Sequence, residues 1–293
     1  MDPEAFRAKD WISRMILIGD VTDMLATIPA ESVDCVVTSP PYWGLRDYGS
    51  ENQLGLEPTP EQYVGNMRMI FEQVRRVLKP QGTLWLNLGD SYASGGGTGA
   101  QGKHGRSGLK SKDLAGIPWR VAFALQSDGW YLRQDIIWHK PNPMPESVRD
   151  RCTKAHEYIF LLAKSERYHF DVDAIKEPSV RGWAGSQFHT GKTGDHQLGR
   201  SSRNRSGNKG ETRQKRSVWS VTTKPFKGAH FATFPPDLIE PCILAGCPKD
   251  GVVLDPFFGA GTVGLVAKKH GRKWIGIEIN PEYARIAQER IGA

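Results

Sequence analysis

The chain has 293 residues, of which 39% are hydrophobic and 24% charged, and its formal net charge is +7 at pH 7. This length allows one large domain or two small ones with a sizeable buried core. No apolar stretch approaches the roughly 20 residues that a membrane-spanning helix needs, and the charged amino terminus contains no signal-peptide core, so we expect a soluble cytoplasmic protein that does not contact a membrane. The positive charge favours an anionic partner, nucleic acid first.

The cysteines are far apart in the sequence. None belongs to a CxxC pair or lies among histidines at the spacing of metal ligands. This pattern argues against a structural zinc site and a disulfide framework, so we expect buried, reduced thiols and no bound metal. The cysteines are Cys35, Cys152, Cys242 and Cys247.

In chain order, short apolar runs that predict strands alternate with longer amphipathic segments that predict helices. The segment 62–78 has the clearest helical spacing, and the Lys-Pro-Gln-Gly sequence at 79–82 is expected to end it. Strands are predicted at 15–18, 33–37, 83–88, 131–139, 158–163, 252–254 and 274–277, and helices at 62–78, 117–127, 262–269 and 281–291. This alternation indicates an α/β fold: a doubly wound, mostly parallel sheet with helices on both faces.

Two segments interrupt the alternation. Residues 93–116 are rich in Gly, Ser and Lys and predict a loop. Residues 179–217 are rich in Gly, Ser and Arg, which is typical of a solvated linker. Because these are also the side chains that reach phosphates and base edges, we favour DNA contact for this segment. The candidate DNA-binding residues are Arg200, Arg203, Arg205, Lys209, Arg213, Lys215 and Arg216.

A proline motif follows the predicted strand 33–37, at the carboxyl edge of the sheet, where ligands bind in open α/β folds. Consecutive prolines fix the backbone and remove N–H donors, so the Ser39 hydroxyl and the nearby carbonyls form a rigid wall of acceptors. An exocyclic NH2 group donates to such a wall, and Tyr42 can stack on a flat base. The alternative is a plain turn that closes the strand. The candidate catalytic residues are Ser39, Pro40, Pro41 and Tyr42.

A glycine-rich loop follows the predicted strand 252–254, and an acid, Glu278, follows the next strand. Glycines let the backbone approach a ligand, and the acid accepts hydrogen bonds from ribose hydroxyls. A nicotinamide dinucleotide is the competing ligand, but Asp255 at the strand end would repel its pyrophosphate. A carboxylate there suits a ligand with positive charge, free hydroxyls and no phosphate, such as S-adenosylmethionine. The alternative role for Asp255 is that of a turn or capping residue.

The two motifs in this order resemble those of amino-methylating DNA methyltransferases of the permuted β-type, the N4-cytosine and N6-adenine methyltransferase family. In that family a (S/N/D)PP(Y/F) motif precedes the target-recognition region and an FxGxG cofactor motif comes last, and residues 39–42 and 257–261 match these motifs. The resemblance implies the Rossmann-like fold of S-adenosylmethionine-dependent methyltransferases. It assigns residues 1–178 and 218–293 to the catalytic domain and residues 179–217 to a target-recognition insertion. The cofactor-binding residues that it implies are Asp20, Thr38, Phe234, Asp255, Phe257, Gly259, Gly261, Thr262 and Glu278.

The resemblance also implies the reaction. The target base leaves the duplex, because its amino group cannot reach the cofactor inside the helix, and the amine takes the methyl group without a covalent enzyme intermediate. Double-stranded DNA is the implied partner, a cognate restriction endonuclease is a further candidate partner, and monomer and homodimer both stay open. Ser39 at the first motif position favours N4 of cytosine in this family, and N6 of adenine is the alternative.

Three other functions compete with this interpretation. A C5-cytosine methyltransferase needs a nucleophilic cysteine, typically after a proline, but Cys242, which follows Pro241, lies far from the motif, so we exclude this route. A catalytically inactive DNA-binding homologue is disfavoured because both motifs are retained. Methylation of RNA or of a protein glutamine is a third alternative, although glutamine methyltransferases carry the related proline motif after their cofactor loop.

Overall fold

The computed structural model describes residues 15–45, 53–93, 108–179, 212–223 and 234–292, which form ten strands and six α-helices. The strands are β1 (Met15–Ile18), β2 (Val33–Thr38), β3 (Leu78–Leu88), β4 (Tyr131–His139), β5 (His156–Ala163), β6 (Glu177–Pro178), β7 (Thr212–Arg213), β8 (Val218–Ser220), β9 (Val252–Asp255) and β10 (Lys273–Glu278). The helices are α1 (Val21–Thr27), α2 (Pro60–Val77), α3 (Ile117–Ser127), α4 (Pro236–Gly246), α5 (Thr262–Lys269) and α6 (Pro281–Ile291).

The main sheet has eight strands in the order β1-β10-β9-β2-β3-β5-β4-β8. Strand β5 runs antiparallel to both of its neighbours, and every other described pair in this sheet is parallel. The predicted doubly wound, mostly parallel α/β fold is therefore confirmed. Because β2 and β9 are adjacent and parallel, the proline motif after β2 and the glycine loop after β9 leave the same edge of the sheet side by side.

Helices cover both faces of the sheet, and the strands contribute side chains alternately to two apolar cores. In β2, Val36 faces the first core, whereas Cys35 and Val37 face the second. Helices α1, α2 and α3 pack on the first core, and α4, α5 and α6 pack on the second. Because both of its faces are buried, β2 is apolar along most of its length, as is usual in parallel sheets. Among the described helices, none has the length and apolarity needed to cross a membrane.

The structure corrects the boundary between α2 and β3. Helix α2 begins at Pro60 rather than at 62, because the Thr59 hydroxyl accepts a hydrogen bond from the Gln62 backbone N–H (3.2 Å) and proline is favoured in the first helical turn. The helix ends at Val77, before the predicted break, and β3 begins at once with Leu78. Residues 79–82 form an irregularity within β3, because the pairing with β2 passes from Leu78 directly to Thr83. The short elements α1, β6, β7 and β8 were not predicted, and no bounds were predicted for helix α4.

The prediction of buried thiols holds for most of the cysteines. Cys35, Cys242 and Cys247 are buried in the second core. Cys152 is exposed, so the prediction is wrong there. The reason is that Cys152 lies in the loop between β4 and β5, which leaves the sheet.

The segment predicted as an insertion begins and ends at one place in the structure. Strands β6 and β7 form a separate antiparallel pair, with Pro178 opposite Thr212. The main sheet resumes at β8, which pairs with β4. Residues 180–211, which include most of the predicted insertion, lie outside the described residues, as do residues 94–107 of the predicted loop.

Packing around Gly276 yields a stability prediction. The Phe258 ring lies against Gly276 and stacks on Trp274, with ring centroids 5.3 Å apart. A Cβ atom at position 276 would lie 2.3 Å from this buried ring, so we expect Gly276→Ala to destabilise the fold by about 1–3 kcal/mol through overpacking.

Gly65→Ala, within α2, is the matched control. A Cβ atom there meets nothing within 4 Å, so this substitution is expected to stabilise the fold by about 0.4–1 kcal/mol. Midpoints of urea unfolding measure both changes. A Gly276→Ala variant with the wild-type midpoint would contradict the packing argument.

Candidate active site

The proline motif and the glycine loop meet at the carboxyl edge of the sheet. The Thr38 hydroxyl, at the end of β2, donates to Asp255 Oδ1, at the end of β9, across 2.7 Å. Both side chains are buried, and the same carboxylate oxygen accepts the Phe257 backbone N–H at 3.0 Å. This hydrogen bond holds the strand end before the proline motif next to the start of the glycine loop. The Thr38 side chain, predicted to bind cofactor, is used to hold Asp255.

The Tyr42 hydroxyl lies at the centre of a hydrogen-bond cluster. It lies 2.8 Å from Glu157 Oε2 and 3.0 Å from Asn87 Oδ1, and the Ser39 hydroxyl donates to it at 3.2 Å. Asn87 belongs to β3 and Glu157 to β5, the next strands in the sheet after β2. Burial, followed by the charge of the Glu157 carboxylate, raises the pKa of Tyr42 well above its ordinary value. Tyr42 therefore remains a hydroxyl at neutral pH.

Two further contacts hold this cluster in place. A Cβ atom at Gly89 would lie 2.5 Å from Tyr42 Cε2, so the tyrosine ring rests on the backbone just after β3. Lys140, just after β4, forms an ion pair with Glu157, and its ammonium lies 4.3 Å from the centre of the Trp138 ring. The orientation of Tyr42 is thus determined jointly by β3, β5 and the end of β4.

The backbone of the proline motif is supported by neighbouring side chains. The Tyr63 hydroxyl of α2 donates to the Pro41 carbonyl at 2.9 Å, and the Trp43 indole N–H donates to the Glu57 carbonyl at 2.9 Å. Trp43 is buried, whereas Ser39 is half-buried. The motif is therefore anchored on its inner side while its first residue stays accessible at the edge of the sheet.

The glycine loop combines an open position with a closely packed one. Gly259 and Gly261 have positive φ values of 50° and 74°, a conformation that favours glycine. A Cβ atom at position 259 would meet nothing within 4 Å, whereas one at position 261 would lie 2.8 Å from Ala287 and 2.9 Å from Ile291, both in α6. The loop thus packs on α6 through Gly261 and leaves the backbone open at Gly259.

Glu278 holds the loop from the neighbouring strand. Its carboxylate accepts the Gly259 backbone N–H at 2.7 Å and the Asn280 backbone N–H at 2.9 Å. Each carboxylate oxygen has a further lone pair, so Glu278 keeps the capacity to accept hydrogen bonds from a ligand. Burial raises the pKa of Glu278 and raises that of Asp255 to about 7. Both acids are therefore sensitive to a cation or a hydrogen-bond donor that approaches them.

The remaining predicted cofactor residues also have structural partners. Asp20 caps α1, with Oδ1 accepting a backbone N–H two residues on at 2.8 Å. The Thr262 hydroxyl, at the start of α5, accepts from Arg290 Nη1 at 3.0 Å. Phe257 packs against the first core, and Phe234, just before α4, packs against the second. Contact of these residues with a cofactor stays a prediction.

Sequence reasoning missed several residues at this edge. Asn87 and Glu157 carry no local motif, and their role is visible only from their contacts with Tyr42. Ile18, opposite Glu278 at the end of β1, and Ile279, directly after β10, are 53% and 39% exposed. Ile18 ends β1 and Ile279 follows β10, and an exposed apolar side chain at a strand end was a signal that the sequence contained.

The basic segment is described only at its end. Glu177 Oε1 accepts from Arg213 Nε at 2.8 Å and from Arg216 Nε at 2.7 Å, and the Lys215 ammonium lies 5.0 Å from the centre of the Trp219 ring. These contacts close the base of the predicted insertion, and DNA contact by these residues stays a prediction. The predicted DNA-binding residues outside the described part are Arg200, Arg203, Arg205 and Lys209.

Solved structures share this architecture. PvuII DNA methyltransferase, which is named as cytosine-N4-specific, superposes with a TM-score of 0.67 at 22% sequence identity, covering 95% of this chain and 86% of that one. TTHA0409, a putative DNA modification methylase from Thermus thermophilus solved with S-adenosyl-L-methionine, superposes with a TM-score of 0.62 at 25% identity, covering 95% and 93%. The fold is therefore that of S-adenosylmethionine-dependent methyltransferases.

Sequence relatives agree with the fold. The type II methyltransferase M.XycI of Xanthomonas campestris pv. cyanopsidis is 50% identical, over 93% of this chain and 86% of the relative. M.SmaI of Serratia marcescens is 48% identical, over 94% of this chain and 90% of the relative. The family described as DNA methylase, of the N6/N4 type, matches residues 33–289. With both of its motifs joined at one edge of the sheet, the chain belongs to the N6/N4 DNA methylase family.

Proposed function

We propose that this DNA methyltransferase modifies the exocyclic N4 amine of a cytosine flipped out of double-stranded DNA. The observation that carries the proposal is the buried hydrogen bond between Thr38 and Asp255, which brings the proline motif, our expected amine acceptor, next to the glycine loop, our expected nucleoside site. The relatives are type II methyltransferases, so we extend the proposal to a modification enzyme that protects DNA from a cognate restriction endonuclease.

The groups at the glycine loop suit S-adenosylmethionine, which is the cofactor. The open backbone at Gly259 leaves room for close approach of a ligand, and the adjoining acids, Asp255 and Glu278, suit a positive charge and ribose hydroxyls. Glu278 would hold the ribose, Asp255 the cationic end, and Ile18 and Ile279 the adenine ring. When bound, the cofactor supplies an electrophilic methyl group.

The proline motif would prepare the target amine. The half-buried Ser39 hydroxyl and the motif carbonyls are acceptors for an exocyclic NH2 group, and acceptors placed in advance stabilise positive charge as it develops on nitrogen. The Tyr42 ring, resting on Gly89, offers a stacking surface for the base. Burial raises the pKa of the Cys35, Cys242 and Cys247 thiols, which disfavours these three as nucleophiles and is consistent with direct transfer.

The choice of cytosine rests on Ser39 at the first motif position and on the cytosine-N4-specific name of the PvuII enzyme. Adenine N6 is the second candidate, because it offers the same kind of amine. Incubation of unmodified genomic DNA with the enzyme and cofactor, followed by mass spectrometry of the nucleosides, is expected to yield N4-methyldeoxycytidine. N6-methyldeoxyadenosine as the sole product would contradict the choice. Methylome sequencing of the same DNA identifies the recognised site.

The basic segment is expected to supply salt-dependent DNA affinity. The slope of log affinity against log salt decreases in magnitude by about 0.9 for each phosphate that the protein no longer neutralises, so replacing Arg200, Arg203, Arg205 and Lys209 by glutamine should flatten this slope and weaken binding at every sequence. Fluorescence anisotropy with labelled duplexes over a range of NaCl concentrations measures the slope. Arg285→Gln, which removes an exposed arginine paired with Glu289 on α6, is the control. Equal slopes for the quadruple variant and the wild type would contradict DNA contact by this segment.

A further inference from the structure

Glu157 lies next to the active site and is not part of either motif. Its carboxylate is largely buried, with a side chain 15% exposed, and it accepts from Lys140 through Oε1. Its other oxygen, Oε2, accepts the Tyr42 hydroxyl at 2.8 Å. An ionised carboxylate accepts hydrogen bonds and never donates them. In each hydrogen bond with Glu157, the partner must therefore be the donor.

Asn87 also presents an acceptor to the Tyr42 hydroxyl. Its Nδ2 group donates to the Tyr158 backbone carbonyl at 3.0 Å and to Glu157 Oε2 at 3.3 Å. The amide nitrogen is therefore turned towards these acceptors, and Oδ1 faces the Tyr42 hydroxyl at 3.0 Å. The single proton of Tyr42 is shared between two acceptors, Glu157 and Asn87.

The protonation of Tyr42 in turn decides which group donates in its hydrogen bond with Ser39. Because Tyr42 keeps its proton and donates it to Glu157 or Asn87, its oxygen is free to accept, and the Ser39 hydroxyl donates to it at 3.2 Å. A serine hydroxyl has one proton and two lone pairs. With the proton occupied by Tyr42, both lone pairs of Ser39 are available to other donors.

We infer that Glu157 is a positioning residue that orders the hydrogen bonds from Ser39 through Tyr42, so that Ser39 presents lone pairs, and not its proton, to the target amine. This inference rests on the proposed function, since the amine is the donor that Ser39 accepts. It assigns Glu157 a role that differs from simple packing: the carboxylate matters because it cannot donate.

Glu157→Gln tests this role with little change in shape. Lys140 needs an acceptor and retains the amide oxygen, so the amide N–H group faces the Tyr42 oxygen, competes there with the Ser39 hydroxyl and weakens the hold on the Ser39 proton. We expect kcat for DNA methylation to fall about 10- to 100-fold, the range for losing a hydrogen bond to a charged group, with cofactor affinity retained. Glu146→Gln is the matched control, because Glu146 also pairs with a cation, Arg151, but makes no contact with Tyr42; this variant should retain wild-type kcat.

A double-mutant cycle with Tyr42→Phe tests whether Glu157 acts on Ser39 through the Tyr42 hydroxyl or through packing. Removing the Tyr42 hydroxyl breaks the path to Ser39, so Glu157→Gln should cause no further loss of kcat in the Tyr42→Phe background. Glu157→Ala introduces no donor and leaves Tyr42 donating to Asn87, so it should lower kcat less than Glu157→Gln does. Circular dichroism at the assay temperature confirms that each variant compared is folded.

Specific outcomes would overturn the inference. Losses that multiply in the double variant, or a folded Glu157→Ala variant that is slower than Glu157→Gln, would show that Glu157 acts through packing or through Lys140. An unchanged kcat in folded Glu157→Gln would show that the inability of the carboxylate to donate does not matter, which also overturns the inference. In each case the wild type still methylates DNA and the proposed function stands, whereas a wild type without transfer to any DNA overturns the proposed function itself.

Discussion

Tyr42→Ala is expected to lower kcat/KM for DNA methylation about 100-fold while leaving cofactor affinity nearly unchanged. Stacking of a base on an aromatic ring is worth about 1–3 kcal/mol by alanine substitution, which corresponds to roughly 5- to 150-fold in rate. The variant also removes the hydroxyl that contacts Ser39, Asn87 and Glu157. Single-turnover methylation of a duplex containing the recognised site measures the first quantity, and calorimetry with cofactor measures the second.

Tyr42→Phe is the control for the ring. It keeps the stacking surface that rests on Gly89 and removes only the hydroxyl, so its loss should be smaller than that of Tyr42→Ala. A fluorescent base analogue at the target position reports whether the base still leaves the duplex. Equal losses of base placement and cofactor affinity in Tyr42→Ala would contradict the stacking role.

Cofactor affinity is expected to rise about tenfold between pH 6 and pH 8 because of Asp255. Burial raises the pKa of this carboxyl to about 7, so in the free enzyme it is mostly protonated at pH 6 and mostly ionised at pH 8. A cationic ligand favours the ionised form, which means that binding releases a proton and that protons compete with the cofactor below the pKa. Calorimetry in buffers with different ionisation enthalpies measures both the affinity and the proton release.

Asp255→Asn is the control for this pH dependence. The amide oxygen still accepts from Thr38 and from the Phe257 N–H, but it does not titrate, so affinity should be weak and nearly independent of pH over this range. The folding stability of the cofactor-free enzyme is expected to fall with rising pH, whereas its cofactor affinity rises. Because the folded pKa lies above the unfolded one, Asp255 makes the cofactor-free enzyme less stable as pH rises from about 4 to about 7, and the variant should lose less stability over that range. A wild-type pH profile of affinity in Asp255→Asn would contradict the assignment.

The regular elements were predictable because their signals are local. The helices at 117–127, 262–269 and 281–291 and the strand at 131–139 have the predicted bounds, since apolar periodicity and capping residues are read within one element. Strand β3 begins before the predicted position because Leu78 pairs with Val33, and the turn signal at 79–82 instead interrupts the pairing with β2, which resumes at Thr83. Strand β8 has only three residues, and its existence depends on pairing with β4.

The sequence by itself determined the α/β class, the order of the two motifs and the identity of the residues after β2 and β9, because prolines, glycines and strand ends impose their geometry over a few residues. Only the tertiary structure decided which groups act on those motifs. Thr38 reaches Asp255 across 217 positions of chain, and Tyr42 reaches Glu157 across 115. No local pattern reports such contacts, because they arise from the order of strands in the sheet. The direction of the hydrogen bonds at Ser39 is therefore a property of the assembled sheet and not of the motif that contains it.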